Sequence, residues 1–140
     1  MILKKGEITM INTIENKNVT IFTSNFKISG KNPNAVSIAQ GKPLDYRGRE
    51  YRDLAPSWSL IKRFKNGDID AAGYEIEYRR DVLGKLDPAK VIEELGPNAV
   101  LLCWCKPDEF CHRRIVALWL KETLGINVPE YVPVPLTAIY

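Results

Sequence analysis

The chain has 140 residues, 45% of them hydrophobic and 26% charged, with a formal net charge of +3. That is enough sequence for one domain with a buried core and too little for two, and the charge permits phosphate contacts without the basic stripe of a dedicated nucleic-acid binder. No apolar run reaches the length of a membrane span, and MILKKGEITM lacks the apolar core of a signal peptide, so the expectation is a cytoplasmic protein without membrane attachment.

Residues 1–17 are polar and mixed and read as a loosely attached segment ahead of a single α/β domain over residues 18–140. Asn18 to Phe26, NVTIFTSNF, carries the β-branched and aromatic residues of a strand starting near Val19, ended by Ser24 and Asn25. Lys31 to Asn34 is turn chemistry. Ala35 to Ala39, AVSIA, predicts a second short strand, interrupted in its apolar run by Ser37. Small polar residues at a strand end form turns or line a site, and Ser24, Asn25 and Ser37 are candidates for the second role.

Lys42 to Lys65 has seven Lys or Arg against three Asp or Glu and interleaves them with Tyr46, Tyr51, Trp58 and Phe64. Cations beside aromatics suit a phosphate next to a stacked base, though such a segment is more often a solvated loop with aromatic anchors. Arg47, Arg49 and Arg52 are the candidate anion contacts. Pro56 and Ser57 open a helix with Trp58, Ile61 and Phe64 on one face, stopped by Gly67 and Asp68. Ile69 to Leu86 predicts a second helix with Tyr74, Tyr78 and Leu83 facing inward. Asp87 and Pro88 start a third, through Leu95, closed by Gly96 and Pro97.

Ala99 to Leu124 organises the rest. Ala99 to Cys105 is an uninterrupted apolar run, the pattern of a strand covered on both faces in a parallel sheet. Lys106 to Asp108 is a turn, with Asp108 as a helix cap, and a helix follows from Glu109 to Leu124. All three cysteines and the only histidine fall within ten residues at this junction. A thiol near a helix N-terminus, a cation or a histidine loses its proton more readily than a free one, and a helix N-terminus attracts anions. The expected catalytic groups are therefore Cys111 as nucleophile, His112 as general acid or base, and Cys103. Arg113 and Cys105 join Ser24, Asn25, Ser37, Arg47 and Arg49 as substrate contacts.

Several alternatives stay open. The cysteines can be small buried hydrophobes, or the pocket can bind without turnover. Cys103, Cys105, Cys111 and His112 can hold a metal, although the pairs lack the two-to-four-residue spacing of structural zinc, and adjacent Cys111 and His112 on a helix diverge by about 100°. A phosphate-cradling cysteine loop is excluded, because Cys111 stands where its arginine belongs, and neither GxxxxGK[ST] nor GxGxxG occurs. Cys103 and Cys105 stand too far apart along a regular strand for a bridge, so free thiols are expected. Ile126 to Tyr140 holds three prolines, which limits any strand there to a short edge.

LLCWCKPDEFCHRRIVALWL, together with FTSNF, PNAVSIAQGKP, REYRDLAPSW, FKNGDID and VLGKLDP upstream, closely resembles domain-of-unknown-function family 488 over Val19 to Leu124. Members typically carry Cys-x-Glu at the end of the corresponding strand and Cys-His-Arg at the next helix. The resemblance therefore singles out Cys103, Cys111, His112 and Arg113, while Cys105 stands at the family's acidic position, with Asp108 or Glu109 as substitutes. It implies a small Rossmann-like three-layer α/β domain with a short, mostly parallel sheet, and it names no activity. The functional expectation is a small enzyme acting on an anionic, nucleotide or nucleic-acid related substrate.

Overall fold

A computed structural model describes residues 20–106 and 109–132. The expected loose segment, Val19, the Asp108 cap and most of the proline-rich tail lie outside the described residues. Four strands, β1 (Phe22–Asn25), β2 (Ala35–Ser37), β3 (Arg49–Glu50) and β4 (Val100–Cys103), form one sheet in the order β1-β4-β2-β3. Every pairing is parallel. Five α-helices accompany them: α1 (Phe26–Ser29), α2 (Trp58–Lys65), α3 (Ala71–Asp81), α4 (Pro88–Leu95) and α5 (His112–Leu124). The fold is a small α/β domain of Rossmann-like character.

The register explains why β4 has no polar alternation. Leu101 pairs with Thr23 on one side and Val36 on the other, and Val36 and Leu101 face a core with Leu54, Tyr78, Val116 and Leu120. Val100 and Leu102 face the opposite side, against Ala35, Tyr46, Phe22 and Phe26. Both faces of the central strand are covered, so both sets of side chains must be apolar. Each such fully buried side chain contributes about 1.5–3 kcal/mol relative to exposure.

Local signals set the helix ends. Ser57 Oγ accepts from Leu60 N at 3.0 Å, Asp70 from Gly73 N at 2.8 Å, and Asp87 from Ala89 N at 3.1 Å. Each side chain satisfies a backbone donor that the first helical turn leaves free. The expected helix over Ile69 to Leu86 is shorter, ending at Asp81 before a 3-10 turn at Leu83–Lys85. Two further differences matter for the site. Helix α5 starts at His112 and not Glu109, with Cys111 in extended conformation at φ −158° and ψ 149° as its N-cap residue. The part of the Lys42 to Lys65 stretch ahead of Pro56, where no strand is expected, contains β3, two exposed residues at the sheet edge, too short to show any alternation. Beyond α5, Thr23 N donates to Pro129 O at 3.0 Å and Tyr131 N to Thr23 O at 2.7 Å. This single parallel bridge at Glu130 is the short edge pairing the prolines permit.

Candidate functional site

Beyond the carboxyl ends of the central strands β2 and β4 lies a cleft of about 800 Å³. Open α/β sheets hold their ligands at this end, because the strands stop there and the connecting loops diverge. Its walls come from the loop after β2 (Ala39 to Lys42), from α2 (Trp58, Ile61, Phe64, Lys65), from Tyr74 on α3, and from the segment joining β4 to α5. Aromatic rings dominate. Phe64, Tyr74 and Phe110 pack against one another with centroids 5.3 Å apart, forming one side. Trp58 and Trp104 stand at the rim, 63% and 59% exposed. Trp104 Nε1 donates to Gly41 O at 2.9 Å, tying the two central-strand loops together.

At one corner the cleft meets Cys103, Cys111 and His112, all buried. Strand β4 delivers Cys103 and the start of α5 delivers the other two. One ligating atom from each lies within 4.8 Å of the others. The 100° objection to Cys111 and His112 acting together does not hold, because Cys111 precedes the helix in extended backbone. The Cys103 and Cys111 sulfurs are in bonding contact across a Cα separation of 7.6 Å, which corrects the expectation of three free thiols; only Cys105 is free. Spacing along the strand excluded Cys103 with Cys105 and said nothing about a partner delivered by the next helix.

His112 Nε2 lies 2.8 Å from Ile38 O, and a carbonyl oxygen only accepts, so Nε2 carries the proton. Nδ1, which is then a bare lone pair, lies 3.7 Å from Cys111 Sγ. Burial pushes the imidazole pKa down to about 4, with Arg113 adding to the effect. At neutral pH the ring is therefore uncharged, which suits an acceptor or a ligand and leaves no proton to give as a general acid.

Arg113 is fully buried behind the corner and uses all five of its N-H donors on the protein. Nη1 donates to Cys103 Sγ at 2.8 Å and Cys105 O at 2.9 Å, and Nη2 to Lys106 O at 3.1 Å and Glu130 Oε2 at 2.8 Å. Nε completes a two-point contact with Glu130 Oε1 at 3.1 Å. Its place is thus that of a clamp on the β4 to α5 segment, with no donor left for a substrate anion. Glu130 escaped the sequence reading, its only signal being a lone acid in an apolar, proline-rich tail.

The other expected contacts lie outside the cleft lining. Ser24 Oγ pairs with Ser29 Oγ at 2.8 Å. Asn25 caps α1 through Ile28 N at 2.8 Å and holds Cys105 O at 3.2 Å, and Ser37 Oγ accepts from Ala39 N at 3.3 Å. Arg47 donates to Leu44 O and Tyr46 O, while Arg49 reaches the end of α4, donating to Leu95 O at 2.9 Å and Glu94 O at 3.0 Å. Arg52 pairs with Glu50 at 3.3 Å. Of the expected substrate contacts, Cys105 alone lines the cleft. Burial raises its thiol pKa, against the opposing pull of Arg113. Lys42, Lys65 and Glu109 also line the cleft, and Lys42 is paired to Glu50 at 3.0 Å. Tyr74, expected only as a core residue, presents a buried ring there with its hydroxyl pKa raised by burial.

A family model described as the active DUF488-N3 subclade matches residues 15–124. The chain belongs to this DUF488 subclade. The matched span takes in β1 through α5, and with them every residue of the cleft and its sulfur and imidazole corner. No curated protein and no solved structure gives a match. Among the described residues of this DUF488 chain no helix is long and apolar enough to cross a membrane.

Proposed function

We propose that this chain is an enzyme acting on a nucleotide-type substrate, a flat ring carrying an anionic group, with the Cys103, Cys111 and His112 corner as its reactive centre. The observation that carries the reading is the opening of that corner onto an aromatic cleft at the carboxyl ends of β2 and β4. Trp58 and Trp104 offer faces for a ring, each stacking contact being worth about 1–3 kcal/mol. Lys65 supplies a positive charge at the same cleft that Arg47, Arg49 and Arg113 do not bring to it, with Lys42 beside the cleft in its pair with Glu50. The subclade's description as active favours turnover over binding alone.

The chemistry that such a corner supports is attack on an electrophilic atom of the substrate. Once a thiol reductant has opened the Cys103 to Cys111 bond and with no metal bound, Cys111 is the attacking group: its proton passes to His112 Nδ1, its sulfur bonds to the electrophilic atom, and the substrate's leaving group departs with the electron pair of the broken bond, the start of α5 favouring the thiolate. The test is tryptophan fluorescence quenching by nucleoside monophosphates and short single-stranded oligonucleotides, with the incubated probes then resolved by mass spectrometry. Quenching by at least one probe, with product formed by the native chain and not by Cys111→Ser, is the expected result. Absence of quenching by every probe contradicts the substrate class. Weakened binding in Cys111→Ser with no product from the native chain identifies a non-catalytic module instead.

A further inference from the structure

We propose that, after a thiol reductant has converted the bonded Cys103 and Cys111 to two thiols, Cys103 Sγ, Cys111 Sγ and His112 Nδ1 bind one divalent metal ion of the zinc class, each thiol giving up its proton, with a fourth coordination position open to the cleft. The inference rests on the reading above only for what the fourth position does; the metal site stands on its own geometry.

Four observations converge. The three ligating atoms lie within 4.8 Å of one another, and all three residues are buried. Two sulfurs and an imidazole nitrogen are the donor set that selects zinc over hard cations such as magnesium. The histidine is already fixed in the arrangement that ligating histidines adopt, one ring nitrogen donating to a backbone carbonyl, here Ile38 O at 2.8 Å, and the other free.

The second observation is the backbone. Cys103 and Cys111 have Cα atoms 7.6 Å apart, whereas disulfides usually span about 4.4–6.8 Å. Two thiolates on one tetrahedral zinc, each at about 2.3 Å, stand about 3.8 Å apart, which relaxes the pair toward the wider backbone spacing.

Charge supplies the third. Two thiolates and a neutral imidazole place two negative charges in a buried corner. Arg113 does not offset them, because its own charge is matched by the two-point contact with Glu130. One divalent cation brings the corner to neutrality, where two uncompensated buried thiolates are unfavourable. Arg113 Nη1 at 2.8 Å from Cys103 Sγ then serves as the partner that orients a ligating sulfur.

The fourth is access. Structural zinc sites are closed by four protein ligands, while catalytic ones keep three and leave a position for water or substrate. Here the cleft borders all three residues, so the open position faces it. Cys105 also borders the cleft but is not one of the three clustered donors, and it is not a ligand in this proposal.

The test is metal analysis of the full chain purified under reducing conditions without added metal, followed by replacement with cobalt(II). The expected content is about one equivalent of zinc per chain, falling below about a tenth of an equivalent in Cys103→Ser and in Cys111→Ser and unchanged in Cys105→Ser. Cobalt(II) added to the metal-stripped native chain gives sulfur-to-cobalt charge-transfer absorption and the strong visible bands of a tetrahedral site, a readout that needs no variant to fold. Adding cyanide shifts those visible bands if the fourth position is open. Absence of zinc and of charge-transfer absorption in the reduced native chain overturns the proposal, as does retention of metal by both serine variants or its loss in Cys105→Ser. A cobalt spectrum indifferent to cyanide overturns the open position. Failure of every nucleotide probe to bind a zinc-loaded chain contradicts the substrate reading alone.

Discussion

The two sides of the Cys103, Cys111 and His112 corner are built on opposite principles. Behind it, Arg113 is fully buried with five donors engaged, Glu130 answers it at two points, and Thr23 and Arg114 extend the network, Thr23 Oγ1 donating to Glu130 at 2.6 Å and Arg114 Nη1 donating to Thr23 at 2.7 Å. In front, the cleft presents large aromatic surfaces, Trp58 and Trp104 more than half exposed at its rim. The rear is satisfied and the front is not. Satisfied buried charge holds the corner in one geometry, and on the proposed reading the exposed aromatic surface is where a ligand completes the contacts.

Glu130→Gln leaves the Arg113 guanidinium buried without its countercharge and is expected to cost about 4 kcal/mol of stability, measured by urea denaturation at neutral pH. A loss below about 1 kcal/mol means that the rear is not a clamp.

The corner itself responds to acid. With Cys103 and Cys111 bonded to each other and no metal present, burial holds the folded-state pKa of His112 down at about 4. The unfolded chain, with an ordinary value near 6.5, takes up the proton first, so stability is full above about pH 6.5 and declines as the pH falls through about 4. The loss is about 3 kcal/mol. Comparing denaturation midpoints at about pH 7 and about pH 4.5 with those of His112→Gln isolates the contribution, because the variant lacks the titrating ring.

At the front the expected effects are on binding and not on folding. Trp58→Ala removes a ring that is 63% exposed. It is expected to change stability by less than about 0.5 kcal/mol and to weaken nucleotide affinity about tenfold, read by titration against the remaining tryptophan signal. The smallest effect separates the expected cations from those that line the cleft. Arg49→Ala gives up two hydrogen bonds to the end of α4, for about 1 kcal/mol of stability, and leaves nucleotide affinity unchanged.

That last contrast shows what the sequence could carry. The apolar run over Ala99 to Cys105 and the helix starts at Ser57 and Asp87 declare themselves locally, so the central strand and two of the helices are legible from neighbours alone, while Asp70, the cap of α3, falls inside the helix expected from Ile69. The concentration of Cys103, Cys111 and His112 in ten residues is also local, and the three do come together at one corner of the cleft. What sequence does not carry is direction. Arg113 sits beside His112 in the chain, yet one residue further along α5 it points away from the cleft toward Glu130, a partner supplied by a tail that returns to the far edge of β1. The Arg47 and Arg49 surplus looked like an anion site because charge is visible in composition. Its destination at the carbonyls of Leu44 and Leu95 depends on how a two-residue edge strand turns the chain. Phe64, Tyr74 and Phe110 come from three separate elements, and only packing makes one wall of them.

Cysteine-resolved alkylation most directly tests whether the cleft in front of the corner is where the ligand binds. Reduced, metal-stripped protein is treated with iodoacetamide with and without saturating nucleoside monophosphate, and each cysteine is followed by peptide mass spectrometry. Cys105, the free thiol on the cleft wall, is expected to react at least about tenfold more slowly with nucleotide bound, since covering a thiol removes its access to reagent. An unchanged Cys105 rate at nucleotide concentrations that quench tryptophan fluorescence places the ligand elsewhere and contradicts the account.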